Sequence, residues 1–324
     1  MMPDTPDHPH ISSEPQQLDR GTRRRVLKLL SLAAGAAVLA PTVLQSVSKV
    51  RAADATGKRT ILITGSTSGM GRRLAERLAG PGTTVLVHGR NRGRGEEAVK
   101  AVRDAGGEAR FYGADFASLA EVRRLAEAVA KDNDRLEVLI NNAGIFNGEP
   151  GNGRQLSKDG HELRFAINYL APFVLTQQLL PLVKAGRPAR IVNIASSGQN
   201  PIDFNDVMLA RGYSDQRAYG QSKLALIMYT LDLANELKGS GVTANAIHPA
   251  NYMDTPMVRD AGIRPWTSVD EGANAVLRLI EAKELAETTG RYFSGQSESR
   301  ASSQAYDERA RARLKALSLQ LASA

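Results

Sequence analysis

Short apolar segments alternate with longer helical segments along most of the chain. Residues 60–64, 84–88, 136–140 and 190–194 are apolar and rich in β-branched side chains, which predicts buried strands. Strands that alternate with helices in this way favour a parallel sheet. The pattern therefore predicts an α/β fold, a single doubly wound parallel sheet with helices on both faces.

The C-terminal part of the chain is less regular but still carries local signals. Ser268 precedes residues 269–281, which begin with two acids in the first turn, so we expect a capped helix there. Residues 290–294 predict the last strand. Residues 305–321 form a basic amphipathic pattern, which predicts a helix packed on the domain or on a partner subunit rather than on a membrane.

A glycine-rich turn joins the first strand to the helix that follows it. The turn consists of Gly65, Ser66, Thr67, Ser68, Gly69, Met70 and Gly71. Glycines let the backbone approach a pyrophosphate closely, and the N-terminus of the next helix favours its negative charge. The spacing Gly-x-x-x-Gly-x-Gly differs from the common dinucleotide fingerprint, so an ordinary glycine-rich loop is the alternative. The flanking strand and helix favour a dinucleotide site.

The end of the second strand bears on the choice of dinucleotide. An acid there would accept a hydrogen bond from the ribose 2′-hydroxyl of NAD, but this chain continues with Gly89 and Arg90. An arginine suits a 2′-phosphate through charge-assisted hydrogen bonds, and Arg72 is a candidate second cation. The alternative is that Arg90 and Arg92 are solvated surface charges. The pattern favours NADP(H) over NAD(H).

Polar side chains follow two later strands and interrupt one apolar helix. Asn142 follows the strand at 136–140, and Ser196 follows the strand at 190–194, where a hydroxyl can hydrogen-bond a substrate oxygen. Asn168 lies in an apolar helical segment, in which we expect Pro172 to bend or interrupt the helix. A lone asparagine in a helix is commonly just a satisfied polar group, and the other motifs favour a relay role here.

Tyr219 and Lys223 are four positions apart, which places both side chains on one face of a helix. A phenol has a free pKa of about 10. A cation beside it favours the phenolate and lowers that pKa. Such a pair can exchange a proton with a carbonyl or alcohol near neutral pH.

Together these motifs resemble those of the short-chain dehydrogenase/reductase family, over about residues 57–300, and in particular its NADP-preferring, retinol-dehydrogenase-like branch. The resemblance implies a Rossmann-type sheet and self-association through the helix that bears Tyr219 and its neighbour. It implies that Tyr219 is the general acid/base and that Lys223 lowers its pKa and holds the nicotinamide ribose. Ser196, rather than the adjacent Ser197, would orient the substrate oxygen, and Asn168 would hold a water in a proton relay.

The same resemblance implies further cofactor contacts. Asp115, followed by Phe116, would contact the adenine, and Asn142 would lie against the ribose. Thr255 would approach the nicotinamide amide, but the family's Pro-Gly is Pro249-Ala250 here, and one extra residue precedes Thr255. This departure puts the role of Thr255 in question.

The segment after Thr255 would form a lid over the substrate. Its apolar residues are Met257, Ile263 and Trp266. They either indicate a hydrophobic or aromatic carbonyl substrate or simply pack the lid onto the domain. The sequence leaves both alternatives open.

The N-terminus has the pattern of an export signal. A twin-arginine motif at 23–25 precedes an uncharged stretch at 29–48 and a small-residue cleavage site after Ala52. We expect residues 1–52 to be a twin-arginine signal, 53–58 a linker, 59–300 the Rossmann-fold domain and 301–324 a helical extension. The expected location is periplasmic or otherwise extracytoplasmic, reached through the twin-arginine export machinery. An uncleaved membrane anchor and a start codon placed too far upstream are the alternatives.

Composition excludes several other classes. The chain has no cysteine, and its five histidines are scattered, so we expect no disulfide and no metal site. The net charge of +8 comes without a basic run interleaved with aromatics, so no nucleic-acid partner is expected. The predicted function is an NADP(H)-dependent oxidoreductase acting on a carbonyl or alcohol. A non-catalytic dinucleotide-binding or redox-sensing protein, and a reductase of a conjugated carbon–carbon double bond, remain the alternatives.

Overall fold

A computed structural model describes residues 58–146 and 153–323. The expected signal at 1–52 lies outside the described residues, as does most of the expected linker at 53–58. The predictions of export and of a cleavage site after Ala52 are therefore not addressed by the structure.

The described residues form one eight-stranded sheet with the strand order β3-β2-β1-β4-β5-β6-β7-β8. The strands are β1 Arg59–Ile63, β2 Thr83–Gly89, β3 Glu108–Gly113, β4 Val138–Asn141, β5 Ala189–Ile194, β6 Val242–His248, β7 Tyr292–Ser294 and β8 Ser297–Ser299. All neighbouring pairs are parallel except β7 and β8, which are antiparallel. The doubly wound parallel sheet is confirmed, and β8 is an addition that the hydrophobic pattern did not indicate.

Helices cover both faces of this sheet. The α-helices are α1 Gly69–Leu78, α2 Arg92–Asp104, α3 Leu119–Asp132, α4 Leu163–Phe165, α5 Ala171–Ala185, α6 Asp215–Glu236, α7 Pro256–Asp260, α8 Val269–Glu281 and α9 Glu308–Ser323. A π-helical segment, Ala166–Leu170, joins α4 to α5, and short 3₁₀ segments lie at Lys283–Leu285 and Ser303–Tyr306.

Alternation along each strand divides the core into two layers. In β1, Ile61 and Ile63 pack with residues of α1, α2 and α8, whereas Leu62 packs with residues of α3, α5 and α6 on the opposite face. Successive strand side chains point to opposite faces, so a fully apolar strand can be buried only when both faces are covered. This requirement explains why the apolar segments of the sequence became central strands.

The helix that contains Pro172 is not interrupted. It runs from Leu163 to Ala185 and changes to π-helical geometry just before the proline. An α-helical bond to the carbonyl of Asn168 would need an N–H at position 172, which proline lacks. Among the described helices this is the one long and apolar enough to cross a membrane, with a mean hydropathy of 1.3, but 72% of its apolar 18-residue window is buried in the protein.

Two local predictions in the C-terminal part are confirmed. α8 begins directly after Ser268, whose hydroxyl accepts the N–H of Glu271 at 3.1 Å. α9 packs on its own chain, since Arg311 Nε donates to Asp232 Oδ1 of α6 at 2.6 Å and Leu314 is buried in the core. Residues 220–231 of α6 are all buried within the chain. Self-association through α6 and its neighbour stays a prediction.

Candidate active site

A cavity of about 1660 Å³ opens at the carboxyl ends of the parallel strands. Its walls are the glycine turn after β1, the ends of β2, β4 and β5, part of α6 and the segment 248–263. Ligands of open α/β sheets bind at this edge, where the strand order reverses. We call this cavity the cleft.

The glycine turn forms one wall of the cleft. Gly65 and Gly69 have φ angles of 65° and 53°, which disfavour any residue with a side chain. A Cβ on Gly71 would lie 2.4 Å from the carbonyl oxygen of Gly65, so α1 can begin this close to β1 only at a glycine. Six of the seven turn residues line the cleft. Ser66 is the exception, because it is fully buried and its hydroxyl donates to the Ile63 carbonyl at 2.7 Å.

His88, at the end of β2, holds the turn in place, and sequence reasoning missed it. Its Nδ1 accepts the N–H of Gly65 at 3.1 Å, so Nε2 carries the hydrogen and donates to the Ala114 carbonyl at 3.2 Å. The ring stacks on Phe116 with centroids 4.5 Å apart. Burial lowers the pKa of His88 to about 4. The histidine is therefore neutral at pH 7, as its acceptor role requires.

Two arginines line the cleft beside the end of β2. Arg90 and Arg94 both line it, and the structure gives neither an acidic partner among the described residues. Arg72 does not line the cleft, since it pairs with Glu76 at 3.1 Å and lies 3.7 Å from Glu97. Arg72 is thus outside the cleft lining and its role as the second cation stays a prediction, while Arg94, four residues after Arg90, is a further candidate.

Asp115 and Phe116 also line this end of the cleft, as the sequence predicted. The Asp115 carboxylate already has partners within the chain. Its Oδ1 accepts the N–H of Ala117 at 3.0 Å, and its Oδ2 lies 3.7 Å from Lys158 Nζ. Contact with an adenine stays a prediction for both residues.

Asn142 joins the end of β4 to the glycine turn. Its Nδ2 donates to the carbonyl oxygens of Thr64 and Gly65 at 2.7 and 3.2 Å. The Asn142 side chain therefore holds the glycine turn through these two hydrogen bonds, and it also lines the cleft.

Thr255 lies against the turn in spite of the extra residue that precedes it. Its Cγ2 would be 3.3 Å from a Cβ placed on Gly69. Tyr252, in the segment that carries the extra residue, has a φ of 41° in the left-handed region. Thr255 lines the cleft, and its contact with the nicotinamide amide stays a prediction.

The candidate catalytic groups lie together at the other end of the cleft. Tyr219 and Lys223 lie on α6, and the Nζ of Lys223 is 5.7 Å from the centre of the Tyr219 ring. Lys223 Nζ also donates to the Ile194 carbonyl at 2.8 Å, which ties it to the end of β5. The Ser196 hydroxyl accepts the N–H of Gly198 at 3.0 Å and is buried, whereas Ser197 is exposed.

Burial controls the proton affinity of both residues on α6. It raises the pKa of the Tyr219 phenol above its usual value, and the hydrogen bond with the Ser196 side chain acts in the opposite direction. Burial lowers the pKa of Lys223 to about 8, so its ammonium form still predominates at pH 7. The direction for Tyr219 is opposite to the one expected from a neighbouring cation, because burial of the phenol is the larger contribution.

Asn168 is near the catalytic groups but its side chain does not line the cleft. It is fully buried, and it accepts the N–H of Ile145 at 2.8 Å and donates to the Ile145 carbonyl at 3.0 Å. It also donates to Ser222 Oγ of α6 at 3.0 Å. The side chain therefore holds the segment after β4 against α6, and a water-holding role stays a prediction.

Arg164, a buried arginine that the sequence analysis did not single out, holds Phe146, the residue after Ile145. Arg164 is fully buried and its Nε donates to the Phe146 carbonyl at 3.0 Å. Its other nitrogens bond the carboxylates of Glu162 and Asp215, the latter in the first turn of α6. The Phe146 ring meets the Tyr219 ring edge-on, with centroids 4.8 Å apart. Arg164 thus connects two of the elements that position Tyr219.

Among residues 58–146 and 153–323, no group of three or more histidines, cysteines or acids is placed to hold a metal ion. The polar groups that line the described cleft include the Ser196 hydroxyl, the Tyr219 phenol, the Lys223 ammonium and the guanidinium groups of Arg90 and Arg94.

Comparison of this chain with known proteins agrees with the site described above. Residues 59–265 match the family model described as short chain dehydrogenase. The chain is 34% identical to human retinol dehydrogenase 13, over 91% of this chain and 93% of that protein. The protein therefore belongs to the short-chain dehydrogenase/reductase family.

Solved structures show the same relationship. A protein from Mycobacterium paratuberculosis superposes with a TM-score of 0.68 at 32% identity, covering 82% of this chain and 93% of that chain. The Pseudomonas aeruginosa RhlG/NADP active-site complex superposes with a TM-score of 0.60 at 28% identity, covering 74% of this chain and 96% of that chain. The chain is thus an oxidoreductase of this family, consistent with hydride transfer from a nicotinamide dinucleotide.

Proposed function

We propose that the protein is an NADP(H)-dependent oxidoreductase that interconverts a carbonyl and an alcohol, with Tyr219 as the general acid/base. The observation that carries this proposal is the meeting of Ser196, Tyr219 and Lys223 in the same cleft as the glycine turn. A bound nicotinamide supplies or accepts the hydride, which is the chemistry that the protein itself lacks.

The chain's own residues handle the oxygen and its proton. The Ser196 hydroxyl hydrogen-bonds the substrate oxygen and orients the carbon for hydride transfer. In the reducing direction Tyr219 donates its phenolic proton to that oxygen, and in the oxidising direction it accepts the proton back. The raised pKa of Tyr219 keeps the phenol protonated at pH 7, which suits proton donation. Lys223, still cationic at this pH, stabilises the phenolate left behind.

The cationic end of the cleft supports NADP(H) as the cofactor. A 2′-phosphate carries two negative charges that suit Arg90 and Arg94, whereas no acid stands directly after β2 to accept a hydrogen bond from a ribose hydroxyl. The NADP complex of the structurally similar RhlG supports the same choice. We expect that replacing both arginines with glutamine weakens NADPH binding more than NADH binding.

The direct test of the catalytic proposal compares Tyr219→Phe with Tyr112→Phe. Tyr112 is a tyrosine of β3 that does not line the cleft, so its variant controls for the loss of a hydroxyl. We expect Tyr219→Phe to bind NADPH as the unchanged protein does but to lose about 10²-fold to 10⁴-fold in turnover. Equal turnover of Tyr219→Phe and the control would refute the assigned role.

Product analysis separates the remaining functions. An α,β-unsaturated ketone reduced to an unsaturated alcohol supports carbonyl reduction, and a saturated ketone indicates reduction of the double bond instead. A protein that binds NADPH but converts none of a broad carbonyl and alcohol panel would favour a dinucleotide-binding or sensing role.

We also propose that the protein is exported through the twin-arginine route, which carries folded proteins. The support is the motif at 23–25 with the uncharged stretch behind it. Mass spectrometry of the protein from an extracytoplasmic fraction tests this proposal. A chain that begins near Ala53 supports a cleaved signal, and an intact chain in the membrane fraction indicates an anchor.

A further inference from the structure

The cleft has a polar wall beside Tyr219, formed by the segment that joins β5 to α6 and by the first turn of α6. Two amide side chains of this wall, Asn200 and Gln216, line the cleft and make no hydrogen bond within the part of the chain that the structure describes. Asn200 is half-buried and Gln216 is exposed. Each amide has two donor hydrogens and an acceptor oxygen. Both are therefore available to a ligand in the cleft.

Asn200 is packed against the backbone of α6 next to Tyr219. A Cβ on Gly220 would lie 2.1 Å from Asn200 Oδ1 and 3.0 Å from the Asn200 backbone nitrogen. Two residues before Asn200, a Cβ on Gly198 would lie 3.9 Å from Tyr219 Cε1. The glycine after Tyr219 therefore leaves the space that Asn200 occupies, and the segment that carries Asn200 runs beside the catalytic phenol.

The segment around Asn200 is held on both sides. Before it, Gln199 Nε2 donates to the Ser196 carbonyl at 3.0 Å. After it, the N–H of Asp203 donates to Gln221 Oε1 of α6 at 3.0 Å. A group that is fixed before a ligand binds loses little conformational freedom on binding. Asn200 is therefore a preorganised hydrogen-bonding group.

Gln216 lies on the same face of α6 as the catalytic pair. It is three residues before Tyr219, and Lys223 is four residues after Tyr219, so neighbours in this row have Cβ atoms about 5–6 Å apart. Lys223 is 4% exposed and bonded to the end of β5, whereas Gln216 is exposed. The row therefore leads from the buried ammonium, past the phenol, to an amide on the solvent side.

The charged neighbours of Gln216 are paired with other residues. The Asp215 carboxylate accepts a hydrogen bond from Arg164. Arg217 lies 3.1 Å from the Asp203 carboxylate. A carboxylate or ammonium ligand would lose its hydration at this wall without meeting an opposite charge. The wall thus suits a neutral group that donates or accepts hydrogen bonds.

We propose that Asn200 and Gln216 recognise a second, neutral oxygen of the substrate, a hydroxyl or carbonyl group several bonds from the carbon that exchanges the hydride. The inference rests on the oxidoreductase function proposed above. The reacting oxygen lies at Ser196 and Tyr219, and the second oxygen lies farther along α6 toward solvent, at the two amides. The protein therefore favours carbonyl compounds with this oxygen over analogues that carry a methyl group in its place.

A kinetic test compares 3-hydroxybenzaldehyde with 3-methylbenzaldehyde, which differ in one hydroxyl and are nearly equal in size. Gln216→Met keeps the length of the side chain but removes its hydrogen bonds. It should lower kcat/KM for the hydroxyl compound by about threefold to tenfold, mainly through KM, and change the methyl compound less than twofold. Asn200→Leu should give the same split.

Gln320→Met is the matched control for the kinetic test. Gln320 is an exposed glutamine of α9 that does not line the cleft, so its variant should treat both aldehydes as the unchanged protein does. If Gln216→Met lowers kcat/KM equally for both aldehydes, or for neither, the proposal is overturned.

A binding test does not depend on turnover. Calorimetric titration of the full chain with NADPH compares 3-hydroxybenzyl alcohol with 3-methylbenzyl alcohol, which cannot pass a hydride to a reduced cofactor. We expect the hydroxyl compound to bind about threefold to tenfold more tightly, and Gln216→Met to abolish the difference. This difference without turnover of either aldehyde supports the subsite but contradicts the proposed reaction. Equal affinities, or no binding of the hydroxyl compound, overturn the subsite, and turnover of both aldehydes would then leave the reaction standing.

Discussion

Acidification should destabilise this protein through His88, and the structure defines by how much. His88 is 2% exposed and neutral, and its Nδ1 accepts the N–H of Gly65. Burial lowers its pKa from 6.5 to about 4. The unfolded chain therefore binds a proton at this histidine before the folded chain does. Between pH 6.5 and about 4 the unfolded state holds more protons, so the free energy of unfolding falls as the pH falls.

The size of the effect follows from the difference in pKa. A difference of about 2.5, at about 1.36 kcal/mol for each unit, amounts to about 3.4 kcal/mol well below both pKa values, of which about 3.0 kcal/mol is lost by pH 4. Between pH 7 and pH 5 the same two pKa values predict a loss of about 1.8 kcal/mol. Carboxyl groups with ordinary pKa values near 4 remain largely ionised over that interval, so they obscure the effect little.

The assay is urea unfolding of the unchanged protein and of His88→Asn at pH 7 and pH 5. Asparagine keeps an acceptor for the Gly65 N–H but does not titrate. The variant loses the stacking on Phe116, so it is expected to be less stable at pH 7. The readout is the change with pH, which should be about 1.8 kcal/mol smaller in the variant. Parallel losses in the two proteins would refute the reasoning.

Two further substitutions test how the cleft is held. Gly71→Ala would place a Cβ 2.4 Å from the Gly65 carbonyl oxygen, so we expect NADPH affinity, measured by cofactor fluorescence, to fall by about tenfold or more. Arg164→Met leaves the carboxylates of Glu162 and Asp215 without their buried partner, which should cost about 3–5 kcal/mol in urea unfolding. Because Arg164 also holds Phe146 against Tyr219, turnover should fall more than NADPH affinity does.

Each substitution has a control within the chain. A Cβ on Gly80 would meet nothing within 4 Å, so Gly80→Ala should leave NADPH affinity unchanged. Arg311→Met removes the pair with Asp232 on α6, away from the cleft, and should lower stability without lowering the turnover of the protein that remains folded. Equal turnover losses in the Arg164 and Arg311 variants would contradict a positioning role for Arg164.

Local patterns predicted most of the elements, because those elements depend on neighbours in the sequence. The apolar strands, the turn from Gly65 to Gly71, the Ser268 cap and the Tyr219–Lys223 spacing follow from periodicity, backbone freedom and reach along one helix. The short edge strand β8 escaped prediction because its three residues are all exposed and carry no apolar signal.

The contacts between distant segments could not be predicted in the same way. Arg72 and Arg94 are both arginines near a strand end, and only the packing of α1 and α2 shows that Arg72 pairs with Glu76 while Arg94 faces the cleft. Likewise the lone histidine of β2 became the anchor of Gly65 only because β1 and β2 are neighbours in the sheet.

The sequence by itself determined the fold class, the dinucleotide turn and the identity of the candidate catalytic pair, since each depends on residue type and spacing within one segment. Tertiary structure decided the rest. It shielded Tyr219 from solvent and thereby raised its pKa, made Asn168 a brace for Ile145, and placed Thr255 against the glycine turn. Burial, pairing across the sheet and loop strain are properties of the assembled chain, and no single segment contains them.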